Sequence, residues 1–97
     1  MIILTEMKLY RIIISGTVQG VGYRYFAKRI ADRLNITGWV RNRRDGTVET
    51  LSHIPNDEIK RDFLNALREG PPTGGVTSVE CNEEEGEENF QSYEITF

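Results

Sequence analysis

The chain is poor in the residues on which most enzyme chemistry depends. It has one cysteine, Cys81, and one histidine, His53, among 97 residues. A lone cysteine excludes an internal disulfide and any metal site built on a cysteine pair. A lone histidine excludes a two-histidine zinc motif. Long apolar runs are also missing: a stretch such as Ile12-Ile13-Ile14 falls far short of the roughly 20 residues a membrane span needs. No basic-then-apolar leader with a small-residue cleavage site opens the sequence, so a cytoplasmic protein that engages no membrane is expected. Hydrophobic residues amount to 38%. That suffices for one domain over residues 1–97, a size that buries roughly two-thirds of the surface its unfolded chain exposes.

What the chain does have is charge, unevenly placed. The net charge is −3. Residues 1–48 nevertheless hold nine Lys/Arg against three Asp/Glu, and residues 49–97 hold three against twelve. A basic half in an acidic protein marks a site for an anion, unless the two halves interleave in space and neutralise each other. Composition leaves both open.

Local pattern supplies the elements. Residues 8–15 are β-branched and aromatic, as in a buried strand. Residues 1–7 are either a loose end or an extension of it. Gly16 to Gly22 carries three glycines in seven residues and reads as a loop able to adopt positive φ. From Tyr23 the apolar period becomes helical through Phe26, Ala27, Ile30, Ala31 and Leu34, with Asn35 as its stop. Residues 36–42 and 47–53 form two strands joined by Arg43-Arg44-Asp45-Gly46, whose Asp-Gly pair signals a hairpin turn. Asn56 is a good N-cap, and Asp57 and Glu58 suit the positive end of a helix dipole. Gly70-Pro71-Pro72 ends that second helix. Residues 76–82 alternate as a strand, the acidic run Glu83 to Glu88 reads as a solvated loop, and Tyr93 to Phe97 is a last short strand. The order β-α-β-β-α-β implies a ferredoxin-like split βαβ sandwich in the α+β class. Its antiparallel sheet carries two helices on one face, with a short extra C-terminal strand.

The strand–loop–helix junction at residues 15–24 has two readings. Backbone N–H groups at a helix N-terminus lack partners and carry partial positive charge. A glycine loop upstream can aim further N–H groups at the same point. Arg24, in the first helical turn, adds a guanidinium, and together these donors suit a phosphate. The plainer reading is a tight turn beside a solvated arginine. Asn42, just before the hairpin turn, is likewise a turn residue unless something else assigns it chemistry.

Taken together, the two segments resemble a known family. Gly16-x-Val18-Gln19-Gly20-Val21-Gly22-Tyr23-Arg24, followed by Gly38-Trp39-Val40-x-Asn42-x-x-Asp45-Gly46-Thr47-Val48, is similar to the paired signature of the acylphosphatases. The resemblance spans essentially the whole chain. It implies a hydrolase that cleaves the carboxyl–phosphate anhydride of small acyl phosphates to carboxylate and inorganic phosphate by water attack on phosphorus. It further implies that Arg24 and the amides from about Gln19 through Gly20, Val21, Gly22 and Tyr23 to Arg24 hold the phosphate. Asn42 would orient the water through its side-chain amide. No metal, no cofactor and no covalent intermediate are implied. Tyr23 stands where the family also accepts phenylalanine, so its expected role is packing.

The remaining residues attract plainer expectations. Asp45 serves the turn, Arg41, Arg43 and Arg44 are a solvated hairpin tip, Trp39 packs on the sheet, Cys81 is a small core residue, and His53 is a polar strand-end residue. An RNA-binding module on the same sandwich would stack bases on strand aromatics. The strand at 47–53 has none, and the isoelectric point near 5.2 is wrong for it, so no nucleic-acid partner is expected. With no further cysteines for a zinc finger, a free-standing monomer that binds only small acyl phosphates or inorganic phosphate is the expectation.

Overall fold

The computed structural model describes residues 7–86 and 88–97. The expectation for residues 1–6 therefore lies outside the described residues, as does that for Glu87; Met7 precedes the first strand. The elements follow in the order β1 (Lys8–Thr17), α1 (Tyr23–Arg33), β2 (Thr37–Asn42), β3 (Val48–Ile54), α2 (Asp57–Glu69), β4 (Gly75–Glu84) and β5 (Tyr93–Ile95). They form one five-stranded sheet in the order β4-β1-β3-β2-β5. Among the described residues no helix is long and apolar enough to cross a membrane.

β1 lies between two strands made much later in the chain. It pairs antiparallel with β3, Arg11 opposite Leu51, and with β4, Arg11 opposite Asn82. Tyr10, Ile12 and Ile14 alternate onto one face. There they join Val40, Val48 and Ile54 from the neighbouring strands, Tyr23, Ala27 and Ala31 of α1, and Phe63 and Leu67 of α2 in a single buried core. Both helices thus cover the same face. The other face stays partly wet and carries a charge network instead. Glu49 is only 5% exposed. One of its carboxylate oxygens accepts from Arg41 Nε at 2.8 Å, and the other is paired with the Arg11 guanidinium. Arg11 Nε also donates to Glu84 at 2.9 Å.

Two expectations need correcting here. Glu83 and Glu84 are not in a solvated loop: both belong to β4, where Lys8 and Arg11 of β1 pair with them. Arg41 is likewise a strand residue held by Glu49, not part of a free hairpin tip. The expected antiparallel sheet is present, and the extra C-terminal strand makes it mixed. The four longer strands alternate in direction, but β5 runs parallel to β2, Trp39 opposite Glu94. The reason is directional. β4 runs antiparallel to β1, whereas β2, two strands across from β1, runs the same way as β1. A chain that leaves β4, turns back and enters at the opposite edge must therefore follow β2.

β5 is short but fastened on two sides. Thr96 N donates to Val40 O at 2.8 Å and Gly38 N to Ser92 O at 3.0 Å. From α1, Lys28 Nζ donates to Tyr93 O at 2.7 Å. The Tyr93 ring is buried, with its hydroxyl hydrogen-bonded to Thr50 at 2.5 Å. Burial pushes that hydroxyl's pKa up.

Candidate active site

The two helices begin differently. α2 starts conventionally: Asn56 Oδ1 accepts from Ile59 N at 2.8 Å, with Asp57 and Glu58 in the first turn. α1 has neither device. Its N-cap is Gly22 at φ 77, with no side-chain cap and no acidic residue in the first turn. Its leading N–H groups and dipole are thus left for an external anion. Gly20 and Gly22 both adopt positive φ (75 and 77). That conformation curls the loop over the helix end and is strained for any side chain.

Arg24 follows one residue into the helix. Its Nη1 donates to Thr96 O at 3.2 Å, and its Cζ lies 4.6 Å from the Phe97 ring centroid. Among the described residues, no carboxylate forms an ion pair with it. The guanidinium is therefore held in place by uncharged groups, and its positive charge is left uncompensated.

Asn42 ends β2 and turns toward the same point. A cavity of about 180 Å³ is lined by Val18, Gly20, Gly22, Tyr23, Arg24, Tyr25 and Asn42. The structure thus brings Gly20, Gly22, Tyr23, Arg24 and Asn42 round one small cavity, although the two segments are separate in sequence. Gln19 and Val21 do not line it. Val21 packs toward the core and its carbonyl accepts from Thr73 Oγ1 at 2.9 Å. The Gln19 carboxamide reaches away to the β2–β3 hairpin. Tyr23 is buried, its hydroxyl donating to Leu67 O at 2.7 Å, with its pKa pushed up by burial. Asp45 serves the turn, accepting from Thr47 N at 3.0 Å and Thr47 Oγ1 at 2.6 Å, which holds its carboxyl below the usual range.

A second concavity, of about 490 Å³, lies on the sheet face away from the helices, against Trp39, Arg41, Phe90 and Glu94. It is larger, and Gly38 and Trp39 of the second motif line it, but neither Arg24, Asn42 nor any residue of the glycine loop does. His53 and Cys81 stay outside both. His53 stacks edge-on against Phe90 at 5.3 Å. Cys81 is half-buried against the core, and burial raises its thiol pKa, which disfavours the nucleophilic thiolate. Sequence reasoning missed three residues around the guanidinium and the cavity: Tyr25, Thr96 and Phe97. A clue existed for Tyr25, an aromatic directly after the arginine. None existed for Thr96 and Phe97, which reach Arg24 only through the parallel pairing of β5.

The family model for acylphosphatases matches residues 10–95. This chain belongs to the acylphosphatase family. An acylphosphatase of Bacillus licheniformis is 45% identical over 91 residues, covering 94% of this chain and all of that one. The crystal structure of the acylphosphatase from Bacillus subtilis superposes with a TM-score of 0.87 at 38% identity, over 94% of this chain and 100% of that chain. The fold also recurs inside a larger protein. The structure of HypF from T. kodakarensis matches 94% of this chain with a TM-score of 0.80 and 32% identity, yet this chain covers only 12% of it. As an acylphosphatase, this chain hydrolyses acyl phosphates to carboxylate and inorganic phosphate.

Proposed function

We propose that this hydrolysis takes place in the cavity between the glycine loop, the start of α1 and the end of β2. Arg24 and the amides of the cavity-lining loop residues Gly20, Gly22, Tyr23 and Arg24 bind the substrate phosphate, and Asn42 orients the attacking water. The supporting observation is the convergence of Gly20, Gly22, Arg24 and Asn42 on one cavity. The chemistry asks for little else. The leaving carboxylate has a conjugate acid with a pKa near 4, like ordinary carboxyls of roughly 3.9–4.3, so it departs without a general acid. Phosphoryl transfer rests on positioning and charge stabilisation, which an unpaired guanidinium, a ring of amides and one carboxamide supply. The proton of the attacking water passes to the substrate phosphate. The cavity is built from a single chain, so a monomer suffices.

The test is hydrolysis of acetyl phosphate by wild type, Arg24→Ala and Asn42→Ala. Each variant should stay folded and lose at least about 100-fold in kcat/KM, the scale of losing one preorganised charge-stabilising donor. Inorganic phosphate should inhibit the wild type competitively, and a chelator should leave its rate unchanged. Wild-type rates in both variants would refute the assignment. Folded protein that binds phosphate without hydrolysing acetyl phosphate would favour a binding module instead.

A further inference from the structure

Gln19 belongs to the glycine-loop motif, yet its side chain does not line the cavity. Its Nε2 donates to Arg43 O at 2.7 Å and to Thr47 O at 2.9 Å. A carboxamide NH₂ has two hydrogens, so this geometry occupies both and leaves neither for a phosphate. The two carbonyls it grips form the mouth of the β2–β3 hairpin. Arg43 N donates to Thr47 O at 2.9 Å and Gly46 N to Arg43 O at 3.2 Å. Arg43 directly follows Asn42.

The groups assigned to phosphate, the loop amides and Arg24, lie on one continuous segment. The group assigned to water, Asn42, lies on another. Among the described residues, the two Gln19 hydrogen bonds are the ones that tie residues 18–24 to residues 42–47. We propose that Gln19 is a positioning residue. Its carboxamide clamps the hairpin to the phosphate loop and thereby sets the distance between the bound phosphorus and the water held by Asn42. The idea rests on the site reading given above and adds to it. Phosphate binding needs only one of the two segments, whereas in-line attack needs both in register. Displacement of a reacting group by about 1 Å can cost about 100-fold in rate. A broken clamp should therefore slow turnover and spare phosphate affinity.

The experiment compares kcat for acetyl phosphate with the inhibition constant of inorganic phosphate in wild type, Gln19→Ala and Gln19→Glu. Gln19→Ala should lower kcat by about 10- to 100-fold while the phosphate constant stays within about threefold. On an Asn42→Ala background, assayed at high enzyme concentration, Gln19→Ala should cost no more than about twofold further, as expected for residues acting as one unit. Gln19→Glu keeps the shape but presents a carboxylate to two carbonyl oxygens at neutral pH. Its protonated form regains one donor, so its kcat relative to wild type should rise as pH falls below about 5, near the ordinary carboxyl range. This variant also carries the test if Gln19→Ala proves unfolded by thermal melting. A kcat that is unchanged, a phosphate constant that worsens in step with kcat, multiplicative losses with Asn42→Ala, or a Gln19→Glu deficit independent of pH would each overturn the clamp. Failure of the underlying site reading shows separately, as wild-type rates in Arg24→Ala and Asn42→Ala.

Discussion

Two aromatic side chains near Arg24 have opposite situations, and substitutions should separate their roles. Tyr23 is buried, and its hydroxyl serves Leu67 O on α2, away from the cavity chemistry. Tyr23→Phe should therefore lower stability by about 1–2 kcal/mol, the cost of losing one buried hydrogen bond. Urea unfolding reads that loss, and kcat for acetyl phosphate should not move. Phe97 is 94% exposed yet lies over the Arg24 guanidinium. A cation–π contact at an exposed site is worth about 0.5–1 kcal/mol. Phe97→Ala should accordingly raise KM about two- to fivefold with kcat little changed. A fall in kcat with KM constant would instead place the ring in the chemical step.

The elements carry the stability of the sheet's outer face, and there Glu49 on β3 is the central charge. Burial alone would raise its carboxyl pKa, but the Arg41 and Arg11 guanidinium groups outweigh burial and hold it below the ordinary value. A carboxyl depressed in the folded state stabilises the protein above its unfolded pKa, about 4.3. That contribution is lost as pH falls through the lower folded value. Glu49→Gln should cost about 1–3 kcal/mol at pH 7, the price of hydrogen bonds to charged groups and the lower end for a broken buried pair. The gap to wild type should begin to close as pH falls below the ordinary carboxyl value of about 4.3. It should go on closing as pH passes through the lower folded value, where the wild-type carboxylate is itself neutralised. Urea unfolding from pH 7 to pH 3 checks this, and two parallel curves would disprove it. Elements of this kind were legible in sequence where the cause is local. Asn56 before Asp57-Glu58 forms the cap it promises, and Asp45-Gly46 turns the hairpin. Legibility ends where partners are distant. Glu83 and Glu84 look like solvated acids until Lys8 and Arg11 are brought beside them. Gln19 looks like one more phosphate-loop residue until the hairpin folds against it. Both site motifs were readable because they keep their spacing within short segments. The reach of Thr96 and Phe97 to Arg24 was not, because it depends on the direction of β5.

Over the whole molecule, the contrast between a basic and an acidic half resolves by interleaving. β1, from the basic half, lies between β3 and β4 of the acidic half, so Lys8 and Arg11 are neutralised by Glu83, Glu49 and Glu84. Arg24 is the exception at the cavity, with no ion-pair partner among the described residues. A single uncompensated cation facing a small cavity attracts a phosphate through a field that salt screens over about 8–10 Å at physiological ionic strength. Raising potassium chloride from low to high concentration should therefore increase KM for acetyl phosphate while kcat stays nearly constant. Equal losses in both would mean that salt acts on the fold rather than on encounter.

The central place of β1 also governs how the chain reaches its native state. Its hydrogen-bonding edges are completed by β3 and by β4, from the middle and the far part of the sequence, so long loops must close before the middle of the sheet is satisfied. Mixed α/β chains with such non-local pairing fold more slowly than helical bundles. The glycine loop leaves the end of β1 and the hairpin joins β2 to β3. The cavity between them is therefore expected to take shape late, as the sheet assembles. During refolding, recovery of hydrolysis should lag behind the appearance of helical signal.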